Sequence, residues 1–197
     1  MNDLKSLADE VLVEMYSKGN AKAFDELLLR YQSKLYTYIY YITRNATLAE
    51  DLFQETFIKA IVTIRQGAYA ESGRFGAWLT RIAHNLIIDN FRQEKGENVI
   101  SNDETDMDLF NDVSLCQDDA ETEMANAQVL KDVRRLICAL PLPQREVVYM
   151  RYYQNLSFRE IAEISNISIN TALGRMRYAI LNMRRLAEEN GISLALS

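Results

Sequence analysis

The sequence predicts an all-α protein: two small helical domains joined by an acidic flexible linker, the second containing a helix-turn-helix. Three observations predict it. Apolar residues recur at three- and four-residue steps along most of the chain, the spacing of one helix face. Only two Pro and seven Gly occur in 197 residues, too few for the many turns of an all-β fold. Between Glu94 and Glu123, eleven acids stand against one base, Lys95, a composition that cannot bury a core and reads as a connector. The expected division is therefore 1–95, a linker at 96–123, and 124–190.

The first domain opens with a short helix from Leu7 to Ser17, ended by Lys18-Gly19-Asn20. Ala21 to Thr43 is a long amphipathic helix, with Ala23, Phe24, Leu27, Leu28, Tyr31, Leu35, Tyr38 and Ile42 on its apolar side. Asn45-Ala46-Thr47 breaks the pattern, and Thr47 with Glu50 has the spacing of a capping box for a third helix to about Ile64. That helix turns Leu52, Phe53, Phe57, Ile61 and Ile64 inward and leaves Asp51, Gln54 and Glu55 outside, next to Ile58. The exposed carboxylates serve either the cap and helix dipole or a docking patch for a basic partner.

A loop at 66–73 leads to a helix from Arg74 to Lys95 whose core stripe is Phe75, Leu79, Ile82, Ala83 and Leu86. Arg81, Asn85 and Arg92 share another face, near His84, and Trp78 sits at its border. An aromatic beside a row of cations suits an unstacked base and a single-stranded backbone, though a core tryptophan beside solvated arginines has the same pattern. Asp89 falls at the core edge and is expected to take a local Arg or backbone partner.

After the acidic stretch, a helix from Ala125 to Ala139 is stopped by Pro141-Leu142-Pro143, and the next runs from Gln144 to Tyr153. Then comes NLSFREIAEISNISINTALGRMR. Ser157 and Glu160 form a capping box, Ser165-Asn166 supplies a tight corner, and Ser168 caps a second helix. Ile169, Ala172, Met176, Ile180 and Met183 are expected to form its buried stripe. The opposite face carries Thr171, Gly174 and Tyr178, flanked by Asn170, Arg175 and Arg177. Small positions beside long donors allow close approach to a major groove, although an ordinary helical hairpin with a solvated face also satisfies the pattern.

Other function classes find little support. Cys116 and Cys138 are far apart with no CxxC spacing, and His84 is the sole histidine, so neither a metal site nor a disulfide framework is expected. With no paired nucleophile and base and no glycine-rich phosphate loop, neither enzymatic activity, nor a cofactor, nor a small-molecule substrate is expected. No apolar run approaches the roughly 20 residues that span a bilayer, and MNDLKSLADE has no signal layout, so a cytoplasmic protein is expected. The net charge of −6 is unfavourable for DNA binding, but the segment from Glu94 to Glu123 contributes −10 and leaves +4 for the remainder. Mildly basic flanks around an acidic connector would hold DNA weakly without a larger partner. A self-sufficient DNA-binding regulator and a protein-interaction adaptor remain the competing classes.

The runs AKAFDELLLRYQSKLYTYIYYITRNATLAEDLFQETF, FGAWLTRIAHNLIIDNFR and LPLPQREVVYMRYYQNLSFREIAEISNISINTALGRMR together resemble an extracytoplasmic-function sigma factor, in order and spacing. The resemblance covers nearly all of the chain except the connector and the last few residues. It implies a two-domain initiation factor whose partners are core RNA polymerase, promoter DNA and an anti-sigma factor. Asp51, Gln54, Glu55 and Ile58 would then meet the clamp helices of the polymerase largest subunit, and the second domain its flap. Tyr69, Arg74, Trp78, Arg81, His84, Asn85 and Arg92 would recognise and open the minus-ten element. Ser168, Asn170, Thr171, Gly174, Arg175, Arg177 and Tyr178 would read the minus-thirty-five element. The connector would thread toward the polymerase active-site and RNA-exit channels. The chain departs from the family at Leu173-Gly174, where Lys or Arg followed by Ser is common, and at Tyr178-Ala179-Ile180, where Arg-Ala-Arg is frequent.

Overall fold

The computed structural model describes residues 4–70, 73–97 and 124–192. Most of the expected linker, with Cys116, and the last five residues lie outside the described residues. Within them, every regular element is helical. A single 3-10 turn at Leu4–Ser6 precedes α1 (Asp9–Ser17), α2 (Ala21–Thr43), α3 (Ala46–Arg65), α4 (Phe75–Glu97), α5 (Met124–Cys138), α6 (Leu142–Tyr152), α7 (Phe158–Ser165) and α8 (Ile169–Glu189). Helices α1 to α4 pack as one unit and α5 to α8 as a second.

In the first unit, α2 lies against α1, α3 and α4 and buries Phe24, Leu27, Leu35, Tyr38 and Ile39. Leu12, Phe57, Ile64, Phe75, Leu79 and Ile87 complete the core from the other helices. Arg30 ties the N-terminal turn down: its guanidinium donates to the Leu7 carbonyl at 2.8 Å, the Asp9 carboxylate at 2.7 Å and the Leu4 carbonyl at 3.1 Å. Tyr31 donates its hydroxyl to the same carboxylate. Burial, reinforced by that bond to Asp9, pushes the Tyr31 phenol well above its ordinary pKa. The α2–α4 crossing depends on Gly76, where an added Cβ would sit 2.7 Å from the Tyr31 ring.

The α2–α3 corner differs from expectation in one detail. Asn45, not Thr47, is the N-cap: its side chain accepts the Leu48 N–H at 3.1 Å, and Thr47 lies inside the helix. The preceding Arg44 takes a left-handed conformation, φ 54° and ψ 27°. With that, the chain reverses within two residues.

In the second unit, α6 packs against α5, α7 and α8 and buries Val147, Val148, Tyr149 and Met150. Arg145 is buried at its start and donates to the carbonyls of Cys138, at 3.2 Å, and Leu140, at 3.4 Å, so that the α5–α6 turn is closed from inside. Asn182 of α8 donates to the Gln144 side chain at 2.8 Å, fixing α8 across α6.

Candidate nucleic-acid and polymerase interface

The α7–α8 pair is built as its caps dictate. The Ser157 N–H donates to the Glu160 carboxylate at 2.7 Å, and the Glu160 N–H returns to the Ser157 hydroxyl at 3.3 Å, both halves of a capping box. Asn166 adopts φ 52° and ψ 49° and turns the chain. Ser168 accepts the Thr171 N–H at 3.0 Å and starts α8, and its hydroxyl also lies 2.8 Å from the Thr171 hydroxyl. The left-handed backbone of Asn166 and the side chain of Ser168 thus set the corner at which α8 leaves α7.

The phase of α8 is corrected by the structure. Ala172, Met176, Ala179 and Ala187 are buried and Met183 is half-buried, whereas Ile169 is 46% and Ile180 39% exposed. The inward face is therefore lined by small residues, which let α8 approach its neighbours closely. At one residue per roughly 100°, the outermost line becomes Asn170, Gly174, Arg177 and Leu181. Thr171 and Tyr178 flank it on one side and Ile169, Leu173 and Ile180 on the other; Arg175 is half-buried.

On the first unit, α3 and α4 enclose a cleft of ≈ 480 Å³. Ile58, Lys59, Val62 and Thr63 form one wall, and Trp78, Ile82, Asn85, Leu86 and Asp89 the other. Trp78 is half-buried because its ring is held by Tyr69, 4.7 Å between centroids, and Phe75, at 5.6 Å. Arg81, Asn85 and Arg92 are exposed on α4, and Arg74 is exposed just before it. Asp89 is exposed rather than at a core edge, and it does find the expected local partner, Arg92, at 3.4 Å.

Two candidates for strand contact lie inside instead. His84 is 7% exposed, its Nδ1 3.3 Å from the Tyr38 hydroxyl, because its position on α4 is well off the Trp78–Asn85 line and faces α2. Tyr69 is 9% exposed and forms the rear support of Trp78. Both shape the surface from below.

Along α3, Asp51, Gln54, Glu55 and Ile58 are all exposed, with Ile58 at 59%. Glu55 pairs with Lys59 at 3.0 Å, half-exposed on both sides, a contact of little energetic weight. Ile58 belongs both to this carboxylate face and to the cleft, so the two surfaces expected separately share an edge. Val62, 45% exposed in the same wall, was not singled out from the sequence: its apolar character marks it as core.

A model of Sigma-70 region 2 matches residues 27–97, and a model of Sigma-70, region 4 matches residues 130–175. The chain is 38% identical over 155 residues to the ECF RNA polymerase sigma factor BldN of Streptomyces coelicolor, a match spanning 78% of this chain and 56% of that one. It is 30% identical over 167 residues to the ECF RNA polymerase sigma factor SigW of Bacillus subtilis, spanning 83% and 88%. Among solved structures, the sigma factor RpoE of Bartonella quintana, in complex with the anti-sigma factor NepR, aligns over 85% of this chain and 98% of its own, with TM-score 0.63 and 21% identity. This last likeness is one of fold. No helix among the described residues is long and apolar enough to cross a membrane.

Proposed function

The chain belongs to the extracytoplasmic-function RNA polymerase sigma factors and, as one of them, directs promoter-specific transcription initiation; we propose how its surfaces divide that work. The carboxylate face of α3, with Asp51, Gln54, Glu55 and Ile58, docks on the clamp helices of the polymerase largest subunit. The cleft beside it receives an unstacked base of the minus-ten element against Trp78 and Asn85, while Arg74, Arg81 and Arg92 track the single-stranded backbone. The α7–α8 pair sets α8 in the major groove of the minus-thirty-five element, and the second unit also meets the polymerase flap. The chain acts in the cytoplasm as a regulatory initiation factor without enzymatic activity of its own, and an anti-sigma factor holds it in check.

The observation that carries this reading is the α3–α4 cleft: a half-buried indole fixed from behind, an exposed carboxamide two turns further along α4 in the same wall, and arginines on the same helix. An aromatic wall with a donor and acceptor beside it is what a flipped base requires, and base capture offsets the few kcal/mol of unpairing. The test is run-off transcription from a genomic fragment library with purified core polymerase, with and without the protein. Discrete transcripts that depend on it are expected. Tight duplex binding without polymerase and no new transcripts would instead favour a stand-alone regulator.

A further inference from the structure

The exposed flank of α8 formed by Ile169, Leu173 and Ile180 is apolar, at 46%, 45% and 39% exposure. It adjoins the outermost line of the helix, where Gly174 has no heavy atom within 4 Å of the position a Cβ would take and no positive φ. Nothing inside the molecule requires a glycine there, and a mid-helix glycine is unfavourable relative to alanine. Its value lies outside the protein, in letting the helix axis come close to whatever α8 faces. Leu173, the neighbouring exposed residue in the first turn and a half of α8, is then brought against that same surface. Arg177 lies on the same outer line, so the face is cationic at one turn's distance and apolar beside it.

We propose that Leu173 is a specificity-determining residue that reads the C5-methyl of a thymine in the minus-thirty-five element, with Gly174 marking the closest approach to the duplex. This rests on α8 reading the promoter. In the major groove, the thymine methyl is the apolar feature that separates T·A from C·G at its own edge, and an aliphatic side chain is the natural contact for it. A leucine has no donor, so it carries no information about guanine and anchors no phosphate; Arg177, one turn on, supplies the charge. The selected promoters should therefore carry a thymine at the base step that Leu173 covers.

The experiment uses the full-length protein with core polymerase on a promoter recovered by run-off transcription. Each thymine of the minus-thirty-five element is replaced in turn by deoxyuridine, which deletes only the methyl group. At one position, promoter occupancy should fall about fourfold, the effect of returning one methyl to water. Leu173→Ala should lower occupancy of the unmodified promoter by a similar factor and abolish the difference between thymine and deoxyuridine at that position alone. A flat deoxyuridine scan, an element without thymine, or an undiminished methyl effect in Leu173→Ala would each overturn the proposal. A flat scan with normal transcription would point to a protein partner covering this flank. Failure to transcribe any promoter would be a failure of the sigma reading itself.

Discussion

Arg44 carries a backbone conformation that suits it badly. Its φ of 54° is left-handed, costly for a side chain with a Cβ, and its Nε and Nη2 are buried with no hydrogen-bond partner among the described residues. The position is the helix end at which glycine is most favoured. Arg44→Gly should therefore raise stability by about 1 kcal/mol, seen as a higher urea midpoint with an unchanged slope. A lower midpoint would mean that packing of the Arg44 stem outweighs the backbone term. Gly174 is the opposite case, a residue whose conformation is ordinary helix and whose surroundings are open. Gly174→Ala should stabilise the protein by up to about 1 kcal/mol and yet reduce promoter occupancy in complex with polymerase. The opposed signs are the informative result, since a purely structural glycine would gain or lose on both measurements together.

At the scale of the helix, what could be read from the sequence divides by the strength of the local chemistry. All eight α-helices are legible from periodicity and breakers, and the α7–α8 corner from Ser157, Glu160, Asn166 and Ser168, because those interactions are contained within a few residues. The α3 cap was not, since Asn45 and the Thr47–Glu50 pair are both competent and only the backbone at Arg44 decides which is used. Asn45→Ala should cost about 1 kcal/mol in a thermal or urea melt, and Thr47→Ala much less. The phase of α8 is only partly legible, for a different reason: Ala172, Met176 and Met183 face inward as expected, but Ile169 and Ile180 do not. Weighting by hydrophobicity favours Ile169 and Ile180, whereas close packing favours Ala172 and Ala179, and what decides between them is how α8 docks on α6 and α7, which its own periodicity does not show. On α4, Trp78, Arg81, Asn85 and Arg92 were legible as one surface, but the burial of His84 and Tyr69 depends on where α2 lies and is a tertiary fact.

The whole molecule joins surfaces of opposite electrostatic need. The α3 face is acidic and exposed, and among the described residues its carboxylates make no ion pair beyond the half-exposed Glu55–Lys59 contact, which carries little energetic weight. Asp51→Arg combined with Glu55→Arg should leave the melting curve within about 0.5 kcal/mol of the parent and abolish co-purification with core polymerase. Normal association of the double variant would remove α3 from the docking surface. The same reasoning extends to free DNA. The stretch from Glu94 to Glu123 carries −10 and the rest of the chain +4, so the cations of the helices proposed to meet DNA work against a larger opposing charge. Repulsion of that kind acts over roughly 8 Å at physiological salt and considerably further in dilute buffer. Converting Asp103, Glu104, Asp106 and Asp108 to Asn or Gln should therefore tighten binding of the isolated protein to promoter duplex at low salt, with the difference shrinking as salt rises. The fluorescence anisotropy of labelled promoter across a salt series measures both. Equal affinity of parent and variant at every salt concentration would mean that the connector's charge does not oppose DNA binding, and any weakness of the isolated protein would then lie with α8, where Leu173, Tyr178 and Ile180 occupy exposed positions without charge. Tighter binding by the variant would assign the connector a second role, making occupation of a promoter conditional on a polymerase that draws the acids away from the DNA.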